Sequence, residues 1–336
     1  MHSAQTRLED EYLFGWDDTP GIVSVWASRS GEAILWRREG EHITTTRERF
    51  RPWLFATSLQ DLAHTSVSSD TASSPGARIT YRELEGEEGS YRYLLSSADG
   101  RLLERELLRG ASQRLQRQVT GINQLERDYY QVGPVEQYLM ASGRVYFRGL
   151  SYEDLHRLQF DLETTSLEPQ NGRIFLISVR DSRGLAAVLE APRPEDEARI
   201  IAELCALIRE RDPDVIENHN LFGFDLPFLE QRAAALRIPL RIGRVGGPML
   251  LERREETLAI GPEARKRVRY SLAGRELIDT LDAVRRHDFV VRDMPGHGLK
   301  DVARYFGIAS ADRVYLEGAA IYDTYRRDPE RVRHYA

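Results

Sequence analysis

The sequence predicts a two-part chain, in which a strand-rich α+β region precedes an α/β region. The length of 336 residues is enough for two domains. Short alternating apolar segments dominate the first part, whereas in the second part three strand-like segments are followed by a helix, a strand and a helix. We place the boundary at residue 150, which gives predicted domains of 1–150 and 151–336.

Composition limits the class of protein. Hydrophobic residues make up 41% of the chain, enough for packed cores, and no apolar run reaches the roughly 18 residues of a membrane span. The polar, acidic N-terminus has no secretory signal, and Cys205 is the only cysteine, so an intrachain disulfide is excluded. We therefore expect a cytoplasmic protein without a membrane partner.

The charge balance argues against a protein that coats nucleic acid, because the net charge is −6. An enzyme that grips only a few nucleotides needs a local basic groove and no basic total. Lys266 and Lys300 are the only two lysines among the 47 basic residues, so 47 minus 2 leaves 45 arginines. This excess of arginine is not by itself a sign of phosphate binding.

In the first region, alternating apolar residues predict short antiparallel strands. The predicted strands lie at 21–26, 33–36, 50–55, 91–95 and 144–147. A helix is predicted over 101–119, and a segment rich in Ser, Thr, Ala and Asp over 64–76 predicts a surface loop.

The second region has a different order of elements. Strands are predicted at 158–163, 174–179, 185–189 and 214–217, and helices over 195–211 and 225–236. This order matches the ribonuclease-H-like layout, in which the first strand and a later strand–helix junction each carry an acid. Further on, a hairpin over 256–272 with its loop at 261–266, a strand and helix over 275–287 and a short helix over 299–307 are predicted.

Two carboxylates stand two residues apart in the first strand of this region. In an extended strand Asp161 and Glu163 project to one face, while Phe160 and Leu162 face the core. Anions this close repel each other unless a cation or proton intervenes. Oxygen ligands without a nearby Cys or His favour Mg²⁺ or Mn²⁺, and paired ions are the usual device for phosphodiester cleavage. With Asp225 as a third acid, the pattern predicts a metal site; the alternative is an acidic strand end that faces solvent or caps a helix.

Three segments resemble motifs of the family B DNA polymerases. Residues 158–165 (LQFDLETT) resemble the first exonuclease motif, 218–229 (NHNLFGFDLPFL) the second, and 296–307 (GHGLKDVARYFG) the helix before the third. The region before residue 150 resembles the N-terminal domain of the family. The resemblance covers nearly the whole chain and implies a proofreading 3′–5′ exonuclease of the four-acid (DEDD) superfamily.

The resemblance also implies roles for individual residues. Asp161 would bridge two Mg²⁺ or Mn²⁺ ions, Glu163 would bind one ion and orient the attacking water, and Asp225 would be a further ligand. Thr164 and Thr165 would contact the terminal nucleotide.

The frayed single strand would be held by Asn220 and Phe224, since stacking on an aromatic ring tolerates any base sequence. The cluster Arg265, Lys266 and Arg267 on the predicted hairpin would help to separate primer from template, or would be no more than a solvated basic face.

The third motif is where the sequence departs from the family. The family has a tyrosine followed four residues later by an aspartate; Tyr335 fits the tyrosine, and the aspartate is expected at position 339, past the 336 residues. Regions resembling the palm, fingers and thumb are also missing, so we expect a fragment of a longer polymerase. Asp279, at a strand–helix junction, is predicted to be a helix N-cap and no catalytic acid.

The expected partners are a single-stranded 3′ end, primer–template DNA and the polymerase domains of the same chain, in the nucleoid-associated cytoplasm. Two other functions stay open. One is a single-stranded DNA-binding fragment with little or no activity, because the last carboxylate is missing. The other is a free-standing exonuclease that acts on DNA or RNA.

Overall fold

The computed structural model describes residues 16–69, 78–245, 251–309 and 314–336. The chain divides into two compact units, Met1–Gly149 and Leu150–Ala336, and both are mixtures of helix and sheet. The predicted loop over 64–76 lies partly outside the described residues. Within the described residues, no helix is long and apolar enough to cross a membrane.

The first unit contains two sheets. An antiparallel sheet of order β1-β2-β3 is formed by β1 (Ile22–Ala27), β2 (Glu32–Glu39) and β3 (His42–Arg49). The second sheet has the order β5-β6-β7-β4-β8 and is formed by β4 (Trp53–Ala56), β5 (Val67–Ser69), β6 (Ile79–Glu83), β7 (Tyr93–Ser97) and β8 (Tyr129–Tyr130).

Two helices complete this unit, and local sequence sets their ends. Helix α1 (Gly100–Leu115) begins after Asp99, whose side chain accepts a hydrogen bond from the Arg101 N–H at 2.9 Å. It ends four residues earlier than predicted, because Gln116 adopts a left-handed conformation with φ of 51°. Helix α2 (Pro134–Ser142) starts with proline and ends at a left-handed glycine.

The strand predicted at 144–147 is wrong, since 144 and 145 have no regular secondary structure and 146–149 form a turn. Phe147 has a φ of 58°, which a strand does not allow. The Arg144 guanidinium donates to Asp17 at 2.8 Å and to Glu48 at 2.7 Å, so the segment is held by side-chain contacts that an apolar pattern does not reveal.

The second unit is built around a five-stranded sheet of order β11-β10-β9-β12-β15 and carries a separate hairpin. Its strands are β9 (Arg157–Thr164), β10 (Ile174–Asp181), β11 (Ala186–Glu190), β12 (Val215–Asn218), β13 (Leu251–Ile260), β14 (Glu263–Leu272) and β15 (Glu276–Asp279). β9, β10 and β11 are antiparallel neighbours, whereas β12 runs parallel to β9, and β15 runs parallel to β12.

The helices of this unit are α3 (Glu197–Arg211), α4 (Leu226–Ala235), α5 (Thr280–Val291), α6 (Leu299–Tyr305), α7 (Ile321–Arg327) and α8 (Pro329–Tyr335). The first six elements predicted for this region are confirmed, each within two residues at either end. The loop predicted over 261–266 is wrong, because Ile260 already pairs with Glu263 and the turn is only Gly261-Pro262.

Two apolar clusters sandwich the sheet. Phe160 and Leu162 are 3% and 4% exposed and belong to the cluster that includes α3 and α4, which confirms the predicted alternation of β9. Burying a side chain of this size stabilises the fold by about 1.5–3 kcal/mol. A smaller cluster joins β10 to α7 and α8; its buried members are Phe175, Leu176, Leu316, Ile321, Tyr325 and Val332.

The buried Glu197 side chain should be a large contributor to stability. It accepts hydrogen bonds from the Ile174 N–H at 2.9 Å and from Arg232 at 2.8 and 2.6 Å. Glu197→Ala leaves the Arg232 guanidinium without its carboxylate partner. This change should lower the free energy of unfolding by about 3–5 kcal/mol, measured by urea denaturation. Glu203→Ala on the same helix removes only the exposed pair with Arg199 and should change it by about 0.5 kcal/mol. Equal effects would contradict the assignment.

Candidate functional site

Two acids lie side by side on one face of the central strand. Asp161 and Glu163 in β9 stand opposite Ser178 and Leu176 of β10. Because alternate residues of a strand share a face, both carboxylates point away from the core that contains Phe160. Asp161 is exposed, whereas Glu163 is only 8% exposed.

The third acid enters where β9 and β12 separate. Backbone pairing between these parallel strands covers only two residue pairs at the start of β9. Beyond these pairs, side chains from β12 and the turn after it lie next to the backbone N–H groups of β9. The Phe160 N–H donates to Asn218 Oδ1 at 3.1 Å, and the Leu162 N–H lies close enough to the Asp225 carboxylate to favour its ionised form. The Asp225 carboxyl is thereby fixed beside the strand that carries Asp161.

A tight turn delivers Asp225 to this position. Asn220 adopts a left-handed conformation with φ of 71°, and Leu221–Asp225 form one π-helical turn before α4. The Asp279 carboxylate accepts from the N–H groups of Asn220 and Phe222, each at 2.9 Å, and caps α5 through the Leu281 N–H at 3.0 Å. The predicted N-cap role of Asp279 is confirmed, and the side chain also holds the turn in shape.

The predicted single-strand contacts lie on this turn. Asn220 and Phe224 are half-buried, and the Phe224 ring packs against Phe228 with centroids 5.5 Å apart. The amide of Asn220 lies over Gly223, where an added Cβ would come within 2.2 Å of Asn220 Oδ1. Glycine at position 223 is therefore needed for this placement of the Asn220 amide.

Burial and mutual repulsion make the acid cluster unfavourable when it carries full negative charge. Burial, and then the Asp161 carboxylate, raise the pKa of Glu163 to about 8, while the Lys300 ammonium opposes the rise. Burial and then Asp161 also raise the pKa of Asp225 well above its usual range, although the nearby Asn218 amide favours the ionised form. A cation among these groups would offset both effects.

The residues fit a divalent ion by their chemistry. Asp225 is 2% exposed, and its Oδ1 is buried without a hydrogen-bond partner among the described residues. All candidate ligands are carboxylate oxygens, which suit Mg²⁺ and Mn²⁺. Across the described ranges, however, no three His, Cys, Asp or Glu side chains form a closed ligand group. The arrangement therefore offers a buried ligand atom and no finished coordination shell.

The two threonines after Glu163 shape the turn that follows β9. The Thr164 hydroxyl donates to the Ser166 carbonyl at 2.9 Å. The Thr165 hydroxyl accepts from the Arg173 N–H at 3.0 Å, and the Thr165 N–H donates to the Arg173 carbonyl at 3.0 Å. Each hydroxyl keeps further hydrogen-bonding capacity, Thr164 as acceptor and Thr165 as donor.

Tyr335 lies on the same side of the sheet as Glu163. It packs against the cluster that contains Leu176, the residue opposite Glu163 in the sheet. The Lys300 ammonium lies 5.5 Å from the centre of the Tyr335 ring and donates to the Leu316 carbonyl at 2.8 Å. Sequence reasoning gave Lys300 no role, although a lysine in a chain that otherwise uses arginine was an available signal.

The structure separates the three basic residues of the hairpin. Arg265 and Lys266 are exposed close to the turn, and Arg265 pairs with Glu263 at 2.8 Å. Arg267 instead is half-buried and pairs with Glu256 at 2.6 Å and with Asp282. Only the first two have the exposure that direct contact with a nucleic acid requires.

Part of the chain is similar to a known protein family. The protein-family model described as "DNA polymerase family B, exonuclease domain" matches residues 156–302. A DNA polymerase of Pyrococcus glycovorans is 31% identical over 204 residues, 52% of this chain and 26% of that protein. DNA polymerase 1 of Pyrococcus abyssi is 26% identical over 298 residues, 85% of this chain and 36% of that protein.

A solved structure is similar across most of the chain. The family B DNA polymerase from the hyperthermophilic archaeon Pyrobaculum calidifontis matches with a TM-score of 0.63 and 23% identity, and covers 94% of this chain and 43% of that one. The chain therefore spans less than half the length of each of these relatives.

Divalent ions should stabilise the protein through Asp225. Mn²⁺ at 100 times its dissociation constant should add about 2.7 kcal/mol to the unfolding free energy of the unaltered chain, seen as a raised melting temperature. Asp225→Asn should abolish this shift, and in EDTA it should melt higher than the unaltered chain because a buried repulsion is removed. Asp323→Asn, at an exposed acid, should keep the full shift. An unchanged Mn²⁺ response in Asp225→Asn would contradict the site.

Proposed function

We propose that this chain, which represents the N-terminal and exonuclease region of a family B DNA polymerase, is a proofreading 3′–5′ exonuclease that acts on single-stranded or frayed DNA. The observation that carries the proposal is the separation between β9 and β12. There the Asp225 carboxylate lies beside the Leu162 N–H, and Leu162 stands between Asp161 and Glu163 in β9. Acids from two segments far apart in sequence therefore lie next to the same strand of the sheet, which supports the proposal.

The topology supports a ribonuclease-H-like domain over 151–336, preceded by a family-type N-terminal domain over 1–150. The strand order β11-β10-β9-β12-β15 places the first strand of the sheet in its centre. The strands β12 and β15, which run parallel to it, lie on one side, and the antiparallel strand β10 with β11 beyond it lies on the other. Acids on the central strand and before α4 fit that arrangement.

The chain's own residues divide the work of hydrolysis. Asp161, Glu163 and Asp225 would hold two Mg²⁺ or Mn²⁺ ions, together with the aspartate expected at position 339. Bound there, the ions supply an activated water and charge compensation at the leaving oxygen. The buried Glu163 carboxylate would accept a hydrogen bond from the attacking water and so orient it. The Tyr335 hydroxyl would also help to hold that water.

The surrounding side chains would hold the 3′ end without reading its sequence. The half-buried Phe224 ring offers a stacking surface, and the Asn220 amide offers a polar contact beside it. The hydroxyls of Thr164 and Thr165 would bond to the terminal nucleotide. The partners proposed are primer–template DNA and the polymerase domains of the same polypeptide, at the nucleoid in the cytoplasm.

A cleavage assay tests the proposal directly. The chain and a longer form that reaches past position 339 are incubated with a 5′-labelled single-stranded oligonucleotide and Mn²⁺. The longer form should produce a ladder of 3′-shortened products, and Asp161→Ala should reduce the rate by several powers of ten, because a metal-bound carboxylate has no substitute. Asp323→Ala, at an exposed acid, should leave the rate near normal.

The alternatives give different outcomes in the same assay. If the longer form binds the oligonucleotide but yields no shortened products, the exonuclease proposal is contradicted and a DNA-binding module is favoured. Equal cleavage of an RNA oligonucleotide would favour a free-standing exonuclease. A normal rate for Asp161→Ala would mean that the site lies elsewhere.

Gly223→Ala tests the single-strand contact. The added Cβ collides with Asn220 Oδ1 and displaces the amide, so the KM for the oligonucleotide should rise ~10-fold, the cost of about one hydrogen bond, with a smaller change in kcat. Gly318→Ala, where a Cβ meets nothing within 4 Å, is the matched control and should change neither constant. An unchanged KM for Gly223→Ala would argue against a role for Asn220 in binding.

A further inference from the structure

The side chain of Arg267 on β14 points towards β13 and α5 of the second unit. Its Nη2 lies 2.6 Å from Glu256 Oε1 on β13, and its Nε donates to the same oxygen at 2.7 Å. Its Nη1 forms an ion pair with Asp282 on α5. The side chains of Arg267, Glu256 and Asp282 are only 21%, 19% and 18% exposed, so these ion pairs are partly desolvated.

The same guanidinium also contacts the turn that carries the third acid. Its central carbon lies 5.7 Å from the centre of the Phe222 ring, within the range of a cation–π contact. Phe222 stacks on Tyr270 of β14, with centroids 6.1 Å apart and planes 24° apart. Phe222 belongs to the π-helical turn Leu221–Asp225, so hairpin and turn share one contact surface.

An arginine suits this position better than other cations do. Its planar guanidinium presents several donors in a fixed geometry, so it can bind Glu256 and Asp282 together while a face of the ion meets an aromatic ring. Arg265 and Arg269 on the same strand are exposed to solvent, whereas Arg267 is half-buried. The chain therefore uses one of its hairpin arginines to join three elements.

We infer that Arg267 is a positioning residue: it clamps the hairpin to the turn Leu221–Asp225 and to α5, and so keeps Asp225 in place for cleavage. This inference rests on the proposed exonuclease function and replaces direct DNA contact as the role of Arg267. The clamp acts through Phe222, whose backbone N–H is held by Asp279 on the other side of the turn. Losing the clamp loosens the side of the turn that faces the hairpin.

The two possible roles of Arg267 predict opposite effects of Asp282→Asn. If Arg267 bound DNA itself, removing a nearby negative charge would leave binding unchanged or strengthen it. If Arg267 is a clamp, the same change breaks an ion pair and should reproduce the loss seen for Arg267→Met. The Met variant keeps the apolar stem of the side chain and removes only the charge and the donors.

The test measures kcat and KM for a 5′-labelled single-stranded oligonucleotide with Mn²⁺, in the longer form that reaches past position 339. Arg267→Met and Asp282→Asn should each lower kcat about 10-fold with little change in KM, and the double variant should be no worse than either single variant. Arg269→Met, which removes the same charge at an exposed position of the same strand, should change kcat less than 2-fold. A raised KM for Arg267→Met with normal kinetics for Asp282→Asn would overturn the clamp.

Hydrogen exchange gives a second readout that needs no activity. Amides in 221–225 should exchange faster in Arg267→Met and Asp282→Asn than in the unaltered chain, and should be unchanged in Arg269→Met. Unchanged exchange in the first two variants would overturn the clamp. If the unaltered longer form cleaves no DNA, the exonuclease proposal fails, while the exchange measurement still decides whether Arg267 holds the turn.

Discussion

Repulsion among three carboxylates in a partly buried space is the constraint on which the second unit depends. Burial raises the pKa of both Glu163 and Asp225, and the Asp161 carboxylate raises each further. A fold that holds such groups together gives up stability unless a cation is supplied. The surrounding structure is arranged to keep these groups in place, with the Lys300 ammonium as the neighbouring protein cation that favours the ionised form of Glu163.

The acids are held in place where side chains take over from backbone pairing between β9 and β12. Where β9 and β12 separate, the Phe160 N–H donates to Asn218 Oδ1, and the Leu162 N–H lies beside the Asp225 carboxylate. The Asp225 carboxylate thus lies against β9, and its Oδ1 is without a hydrogen-bond partner among the described residues. Asp279 and the hairpin hold the turn behind Asp225 from two sides.

Much of this could be predicted, because strand alternation has a period of two and Asp161, Glu163 and Phe160 follow it directly. The order of strands and helices along the chain, and the junction before α4, followed from apolar patterns. Asn218, Lys300 and the inward direction of Arg267 could not be predicted, since each depends on contacts between segments far apart in sequence. The strand at 144–147 was wrong for a related reason: Phe147 has a positive φ, and ion pairs of Arg144 override the apolar pattern.

The central claim is that Asp161, Glu163 and Asp225 form a divalent metal centre. The most direct measurement is anomalous X-ray scattering from crystals of the chain soaked in Mn²⁺. The account predicts an anomalous peak in direct contact with oxygens of Asp161 and Asp225, which disappears in Asp225→Asn crystals soaked in the same way. A peak elsewhere in the unit, or none at a Mn²⁺ concentration that supports cleavage, would contradict it.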